Sequence, residues 1–239
     1  CITISKADLD YNVHIVLEAV QTPVIAVVKC NGYGITMQYA MAAWYNAGVR
    51  FFAVSEPAEA LTIRELGYTD VQILLMAPVY DPPTLQMLLS NDIILTVTSA
   101  RCAAFAVENS GGYPVQAHVK IDTGMGRFGT RYDNIQELLA IYAVEGIRYS
   151  GIFSHFAISF ETQYQKTKQQ LDRFLSAIQQ LEAAKIQVGT KHIANSCAAL
   201  RFPETRLDAV RIGSALVGRL MVPCGVQLKN IGSLRARVV

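Results

Sequence analysis

Residues 23–34 read Pro-Val-Ile-Ala-Val-Val-Lys-Cys-Asn-Gly-Tyr-Gly. Five apolar residues, Val24 to Val28, run without a polar break, which predicts a strand buried on both faces. The run stops on Lys29 and passes into a turn that holds two glycines. A lysine at the end of a buried strand presents a primary amine that can attack an aldehyde. Position alone favours the plainer reading, a side chain that snorkels to water. Tyr33, four residues further on, reaches the same ligand or packs within the loop.

Outward from this stretch the pattern recurs. Apolar, β-branched runs stand at 49–54, 71–76, 93–97, 115–121, 149–154, 191–194 and 207–212. Between them, residues 36–47, 57–66, 82–89, 99–109, 134–145 and 162–185 carry helical periodicity. Gly48, Gly67, Gly111 and Gly146 follow four of these segments, as helix stops do. Residues 162–185 are long and polar on one side, which predicts an outer helix. Strand and helix alternate eight times, so the sheet is parallel, either closed or open and doubly wound. Eight strands in 239 residues favour a (β/α)8 TIM-type barrel, whose usual length is about 250 residues. No G-x-G-x-x-G turn follows the first strand, which argues against a dinucleotide-binding sheet. Residues 1–230 are therefore read as the barrel. Residues 232–239 read as one further strand without a partner in it, so 231–239 are expected to open a C-terminal β-domain that the chain lacks.

Bulk composition narrows the classes. Hydrophobic residues make up 51% and charged residues 17%, which supports a large core and excludes a disordered chain. A net charge of +2 gives no general attraction to nucleic acid or acidic membranes. No apolar run approaches the ~20 residues that span a bilayer. The five cysteines form no C-x-x-C pair, which speaks against zinc or a disulfide framework and for a reducing, cytoplasmic setting.

In such a barrel, chemistry sits where strands end. Residues 120–129 read Lys-Ile-Asp-Thr-Gly-Met-Gly-Arg-Phe-Gly. Arg127 stands among three glycines and suits an oxyanion. Lys120 and Asp122 share a strand face, so a buried Lys120 would need a counter-charge. Asp122 reads equally as a turn-stabilising carboxylate. His155 ends another strand, where a structural histidine is the bland alternative. His192 opens His-Ile-Ala-Asn-Ser, and Asn195 and Ser196 are placed to cap the next helix, a natural phosphate site. Arg211-Ile-Gly-Ser closes the eighth run, where Gly213 and Ser214 offer backbone N–H groups. His14 and His118 read as a helix-face and a strand residue and receive no role. A strand-end lysine, phosphate-type loops after strands seven and eight, and strand-end arginines together suit a phosphorylated aldehyde cofactor.

At these residues the sequence resembles the alanine racemase family. Residues 26–34 are similar to its cofactor-lysine motif, 120–129 to its glycine-rich motif, and 154–157, 192–196 and 210–213 follow in family order; residues 4–12 resemble its opening segment. The resemblance implies pyridoxal 5′-phosphate held as a Schiff base on Lys29, which also acts as one catalytic base. It implies Tyr33, Ser196, Gly213 and Ser214 at the phosphate, Arg127 at the phenolic oxygen and substrate carboxylate, His155 and Asn195 near the ring, and Arg211 at the pyridine nitrogen. In that family the lysine matching Lys120 is often carbamylated and positions the arginine matching Arg127, which marks Lys120 as a candidate for carbamylation. Arg127 and His155 join Lys29 as the expected catalytic set. A second base, a tyrosine, would come from the C-terminal domain of a partner subunit, so a homodimer is expected and the 239-residue chain alone should bind cofactor but racemise poorly. The expected substrate is a small amino acid, alanine first and serine second; the serine alternative would make the chain the cytoplasmic part of a membrane-bound racemase. Residues 157–160 (Ala-Ile-Ser-Phe) replace a segment that is usually acidic, Ile212 and Ser214 replace common Pro and Ile, and Val217 stands where Tyr is frequent, which bears on substrate preference. Two other classes remain open: a non-catalytic pyridoxal-phosphate-binding barrel, and a basic-amino-acid decarboxylase, whose cofactor lysine stands in a segment similar to 29–31.

Overall fold

The computed structural model describes residues 2–160 and 164–235. In chain order it holds β1 (Ile2–Ile4), α1 (Lys6–Val20), β2 (Val24–Val27), the single turn α2 (Cys30–Tyr33), α3 (Met37–Asn46), β3 (Phe51–Val54), α4 (Pro57–Glu65), β4 (Gln72–Leu75), α5 (Pro82–Leu89), β5 (Ile93–Val97), α6 (Ala100–Glu108), β6 (Val115–Asp122), β7 (Thr130–Arg131), α7 (Ile135–Tyr142), β8 (Ile147–Phe153), α8 (Gln165–Ala183), β9 (Thr190–His192), α9 (Ser196–Arg201), β10 (Val210–Ile212) and β11 (Gly232–Leu234). All eight apolar runs form strands of one parallel sheet, ordered β10-β2-β3-β4-β5-β6-β8-β9. Arg211 N donates to Ala194 O at 2.9 Å and Asp208 N to Lys191 O at 3.2 Å, which brings the ends of that path together and nearly closes the barrel. The TIM-type architecture is thus the one the alternation predicts.

Strand alternation sorts the core into two shells. Ala26, Val28, Phe52, Val54, Ile73 and Leu75 pack outward under the helices. Ile25, Val27, Ala53, Leu74 and Ile94 form a separate inner cluster. Helix starts follow local chemistry: Asp81, Ser99, Asn134 and Asn195 each accept a backbone N–H in the first turn of the helix they precede. The long outer helix begins at Gln165; Thr162, where periodicity begins, lies outside the described residues.

The C-terminal stretch differs from expectation. Gly232–Leu234 pairs antiparallel with Ile2–Ile4, so this strand does have a partner within the chain. The pairing joins the two chain ends across the whole sequence, a non-local contact that local patterning does not reveal. Residues 236–239 of the expected strand lie outside the described residues.

Candidate active site

Lys29 stands two residues past β2 and opens a left-handed turn. Cys30, Asn31, Gly32, Tyr33 and Gly34 all have positive φ, from 52° to 89°. Such backbone is costly for residues with a Cβ and needs outside support. The support is present: Glu59 Oε1 accepts Cys30 N at 2.6 Å, and Asn31 Oδ1 accepts Met37 N at 2.8 Å. The turn carries Tyr33 against Gly213, where a Cβ would lie 1.9 Å from the tyrosine Oη. Only glycine permits that approach. Burial, with smaller contributions from Cys30 and Glu59, raises the Tyr33 phenol above its ordinary range, so it stays a hydroxyl.

A cavity of about 530 Å³ opens at this end of the barrel. Lys29, Tyr33, Arg127, His155, Asn195, Ser196, Arg211, Gly213 and Ser214 all line it. Lys120 does not; it lies behind the wall, 2% exposed. Strand ends of β2, β6, β8, β9 and β10 thus bring every other predicted residue to one space.

Arg211 is the buried anchor, 3% exposed. One guanidinium nitrogen meets His192 Nδ1 at 2.7 Å and donates to His192 O at 3.1 Å. The other donates to Ser154 O at 2.5 Å and Ile193 O at 3.3 Å, and meets His155 Nδ1 at 3.1 Å. No ion pair to Arg211 forms among the described residues. A guanidinium only donates, so both histidines must accept at Nδ1 and carry their proton on Nε2. His192 Nε2 then donates to His118 Nδ1, 2.9 Å away. Burial first, then the Arg211 charge, holds His155 and His192 well below the usual imidazole range and His118 down at about 3. All three rings are therefore neutral at pH 7. Burial, then Arg127, lowers Arg211 itself to about 9, which still leaves it protonated.

Lys120 Nζ donates to Ile121 O at 3.0 Å and lies 5.3 Å from the centre of the Phe153 ring. The expected counter-charge is not paired with it: the Asp122 carboxylate accepts the N–H groups of Gly124, Met125 and Gly126 at 2.8–3.1 Å, the turn role. Burial, then the Arg211 charge, lowers Lys120 to about 7. That turn presents Arg127, which is exposed and contacts Phe128.

At the opposite side, Asn195 caps α9: its Oδ1 accepts Ala198 N at 3.1 Å and the Ser159 hydroxyl at 2.7 Å. Two donors fix the amide oxygen and leave Nδ2 to donate. Ser196 Oγ accepts Gly213 N at 3.2 Å and Ala215 N at 3.4 Å, so its own proton is available. The Gly213 N–H, expected at a ligand, is engaged by Ser196 here. His118, Ser154 and Ser159 were not singled out by sequence. For His118 a signal existed: Gln116, His118, Lys120 and Asp122 alternate along β6 and form a polar inward face.

The donor set fits a phosphorylated aldehyde. Hydroxyl-bearing Tyr33, Ser196 and Ser214 gather beside a side-chain-free Gly213, Lys29 lines the same cavity with a primary amine, and a buried cation without a carboxylate stands between neutral rings. This arrangement, in an eight-stranded parallel barrel, is that of a pyridoxal-phosphate-dependent racemase fold. The sequence profile described as "Alanine racemase, N-terminal domain" matches residues 4–220. The chain belongs to the alanine racemase family, whose members depend on pyridoxal phosphate. It is 35% identical over 200 residues to alanine racemase 1 of Caldanaerobacter subterraneus, covering 82% of this chain and 51% of that protein. It is 36% identical over 199 residues to the alanine racemase of Desulforamulus reducens, covering 82% and 53%. The alanine racemase of Clostridium difficile in complex with cycloserine superposes with a TM-score of 0.91 at 26% identity, covering 97% of this chain and 66% of that one. The chain spans about half the length of the curated relatives it matches. No helix among the described residues is long and apolar enough to cross a membrane.

Proposed function

We propose that these residues form the cofactor-binding barrel of a cytoplasmic racemase that interconverts L- and D-alanine. The observation that carries this reading is the convergence on one cavity of Lys29, Arg127, a phosphate-type cradle and the carboxylate-free cation Arg211. When bound, pyridoxal phosphate supplies an aldehyde carbon open to amine attack and a ring that draws charge from the substrate Cα. Tyr33, Ser196 and Ser214 hold the phosphate through hydroxyls, with Gly213 giving the clearance. Lys29 binds the cofactor through its amine and moves the proton on one face of Cα. Arg127 takes the substrate carboxylate. Arg211 would face the ring nitrogen as a donor that cannot release its proton, which would leave that nitrogen unprotonated and suit return of the proton to the substrate. His155 and Asn195 orient the ring by donating from Nε2 and Nδ2. The neutral Lys120 amine adds carbon dioxide, releasing one proton, and the carbamate gives Arg127 an anionic partner. The second base, a tyrosine on the opposite face of Cα, comes from a C-terminal β-domain of a partner subunit in a homodimer. In this reading residues 1–230 are the barrel and 231–239 lead into that domain.

The test is the visible absorption of wild type and Lys29→Ala with pyridoxal phosphate, read beside D-alanine formation from L-alanine. A visible band confined to the wild type is expected, with D-alanine formed slowly by the 239-residue wild type and more slowly still by Lys29→Ala. Loss of the reading follows if neither protein holds cofactor, or if Lys29→Ala forms D-alanine as fast as wild type. Faster turnover of L-serine would move the substrate; carbon dioxide release from lysine, arginine or ornithine would move the reaction class.

A further inference from the structure

Helix α8 packs on the barrel through a stripe that includes Thr167, Leu171, Phe174 and Ile178. Gln170 stands on the same stripe, 6% exposed, outside the cavity lining. Its amide is used at both ends. Oε1 accepts Ala157 N at 2.9 Å, while Nε2 donates to Thr123 Oγ1 at 3.2 Å and to His155 O at 3.3 Å. The Ala157 N–H can meet only the oxygen, so the amide has one orientation. Thr123 begins the loop that presents Arg127; His155 and Ala157 belong to the loop after β8. Thr123 Oγ1 and Ser154 Oγ lie 2.9 Å apart, and Ser154 O accepts from Arg211 at 2.5 Å. Arg173, on the next turn of α8, adds a bond from Nη1 to Thr123 O at 3.0 Å.

We propose that Gln170 is a positioning residue: it clamps the Arg127 loop to the His155 loop and, through Ser154, to the acceptor side of Arg211. This deepens the function proposed above and rests on Arg127 and His155 facing cofactor and substrate. A glutamine that merely satisfies its own polar atoms would affect global stability alone. A clamp fixes two loops relative to each other, so its loss loosens those loops more than the barrel.

The experiment compares wild type, Gln170→Leu, Gln170→Glu and the exposed-neighbour control Gln169→Leu. Glutamate keeps the shape and the acceptor for Ala157 N but brings no donor to His155 O. Amide hydrogen exchange in cofactor-free protein is read at Ala157 and at Gly124–Gly126 against amides within β6, and pyridoxal phosphate affinity is measured separately. In Gln170→Leu, exchange should rise about tenfold to a hundredfold at Ala157 and also at Gly124–Gly126, with β6 amides little changed and cofactor affinity about tenfold weaker; a rise at Ala157 alone, which loses its own acceptor, overturns the clamp. Gln170→Glu should fall between, and Gln169→Leu should match wild type. Exchange in both Gln170 variants that equals wild type, or that rises only in step with the β6 amides, overturns the clamp. If Gln170→Leu does not fold, Gln170→Glu decides by the same comparison. A wild type that holds no cofactor would end the functional reading, while the exchange data would still decide whether Gln170 clamps the loops.

Discussion

The two halves of the barrel interior are built on one architecture and filled in opposite ways. On β2, β3, β4 and β5 the buried inward residues are apolar, Ile25, Val27, Ala53, Leu74 and Ile94, apart from Thr96, whose hydroxyl donates to Leu75 O at 2.7 Å. On β6, β9 and β10 they include His118, Lys120, His192 and Arg211, each no more than 3% exposed. In the first half burial itself is the driving force, at roughly 25 cal/mol per Å² of apolar area. In the second, burial carries a cost that falls only when each donor finds an acceptor. Arg211 does so through five contacts, and Lys120 through a carbonyl and an aromatic face. One half holds the barrel together, and the other holds charge where a ligand needs it. Lys29 and Tyr33 belong to neither: they stand past the end of an apolar strand, on a turn.

This division is open to attack, beginning with its largest consequence. Lys29→Ala should lower racemisation by at least about 10²–10⁴-fold, the usual worth of one proton-transfer group, and remove the visible band. Lys29 is half-buried on a turn, so melting temperature should barely move. A racemising Lys29→Ala protein would place the chemistry elsewhere. Leu74→Ala is the counterpart in the apolar half. Leu74 is 0% exposed, and its truncation should cost about 2–5 kcal/mol in denaturant unfolding. Cofactor affinity of the folded fraction should stay within about twofold. An affinity loss as large as the stability loss would show that the two halves are not separate.

A smaller effect tests the cradle. An alanine at 213 would drive its Cβ against the Tyr33 hydroxyl, 1.9 Å away in the present arrangement, so Tyr33 must shift. Losing one hydrogen bond to a charged phosphate is worth about 1.5–3 kcal/mol, so Gly213→Ala should weaken pyridoxal phosphate binding by roughly tenfold to a hundredfold. Titration by fluorescence or absorbance measures it. Unchanged affinity would remove Tyr33 and Gly213 from the phosphate site.

The comparison also explains what was legible beforehand. Strands buried on both faces read as continuous apolar runs, so the barrel was visible from 23–28 outward. Strand-end residues such as Lys29, Arg127, His155 and Arg211 were visible because this architecture gathers strand ends at one face. What local pattern cannot supply is partnership between distant segments. The β1–β11 pair links residue 2 to residue 234, and nothing within either strand names the other. For His118 alternation along β6 marks the inward face, but its link to Arg211 runs through His192, a partner 74 residues away. Gln170 stands in a helix with six other glutamines or lysines between 165 and 180 that are exposed. Its place on the stripe of Thr167, Leu171 and Phe174 was the available signal, at i−3, i+1 and i+4.

The effect at any one step of pH is smallest at Lys120, where the polar half is under most tension. Burial lowers its amine from 10.5 to about 7, while the unfolded chain keeps the ordinary value. Between those two pH values the unfolded state binds a proton that the folded state has lost, so unfolding free energy should rise with pH across that window. One group contributes at most about 1.4 kcal/mol per pH unit. Below about pH 7 both states are protonated and this contribution to the slope disappears. Lys120→Met keeps the bulk, lacks the titrating amine and should remove the rise. Taking wild type minus variant cancels other groups in the window, such as Cys224, which burial raises to about 11. Denaturant melts in carbonate-free buffer measure the difference; equal slopes would mean that Lys120 keeps an ordinary proton affinity and that the polar half tolerates a buried ammonium. Bicarbonate then sharpens the result. A carbamate that forms only on the folded chain stabilises it by mass action, so wild type should gain stability with added bicarbonate while Lys120→Met should not.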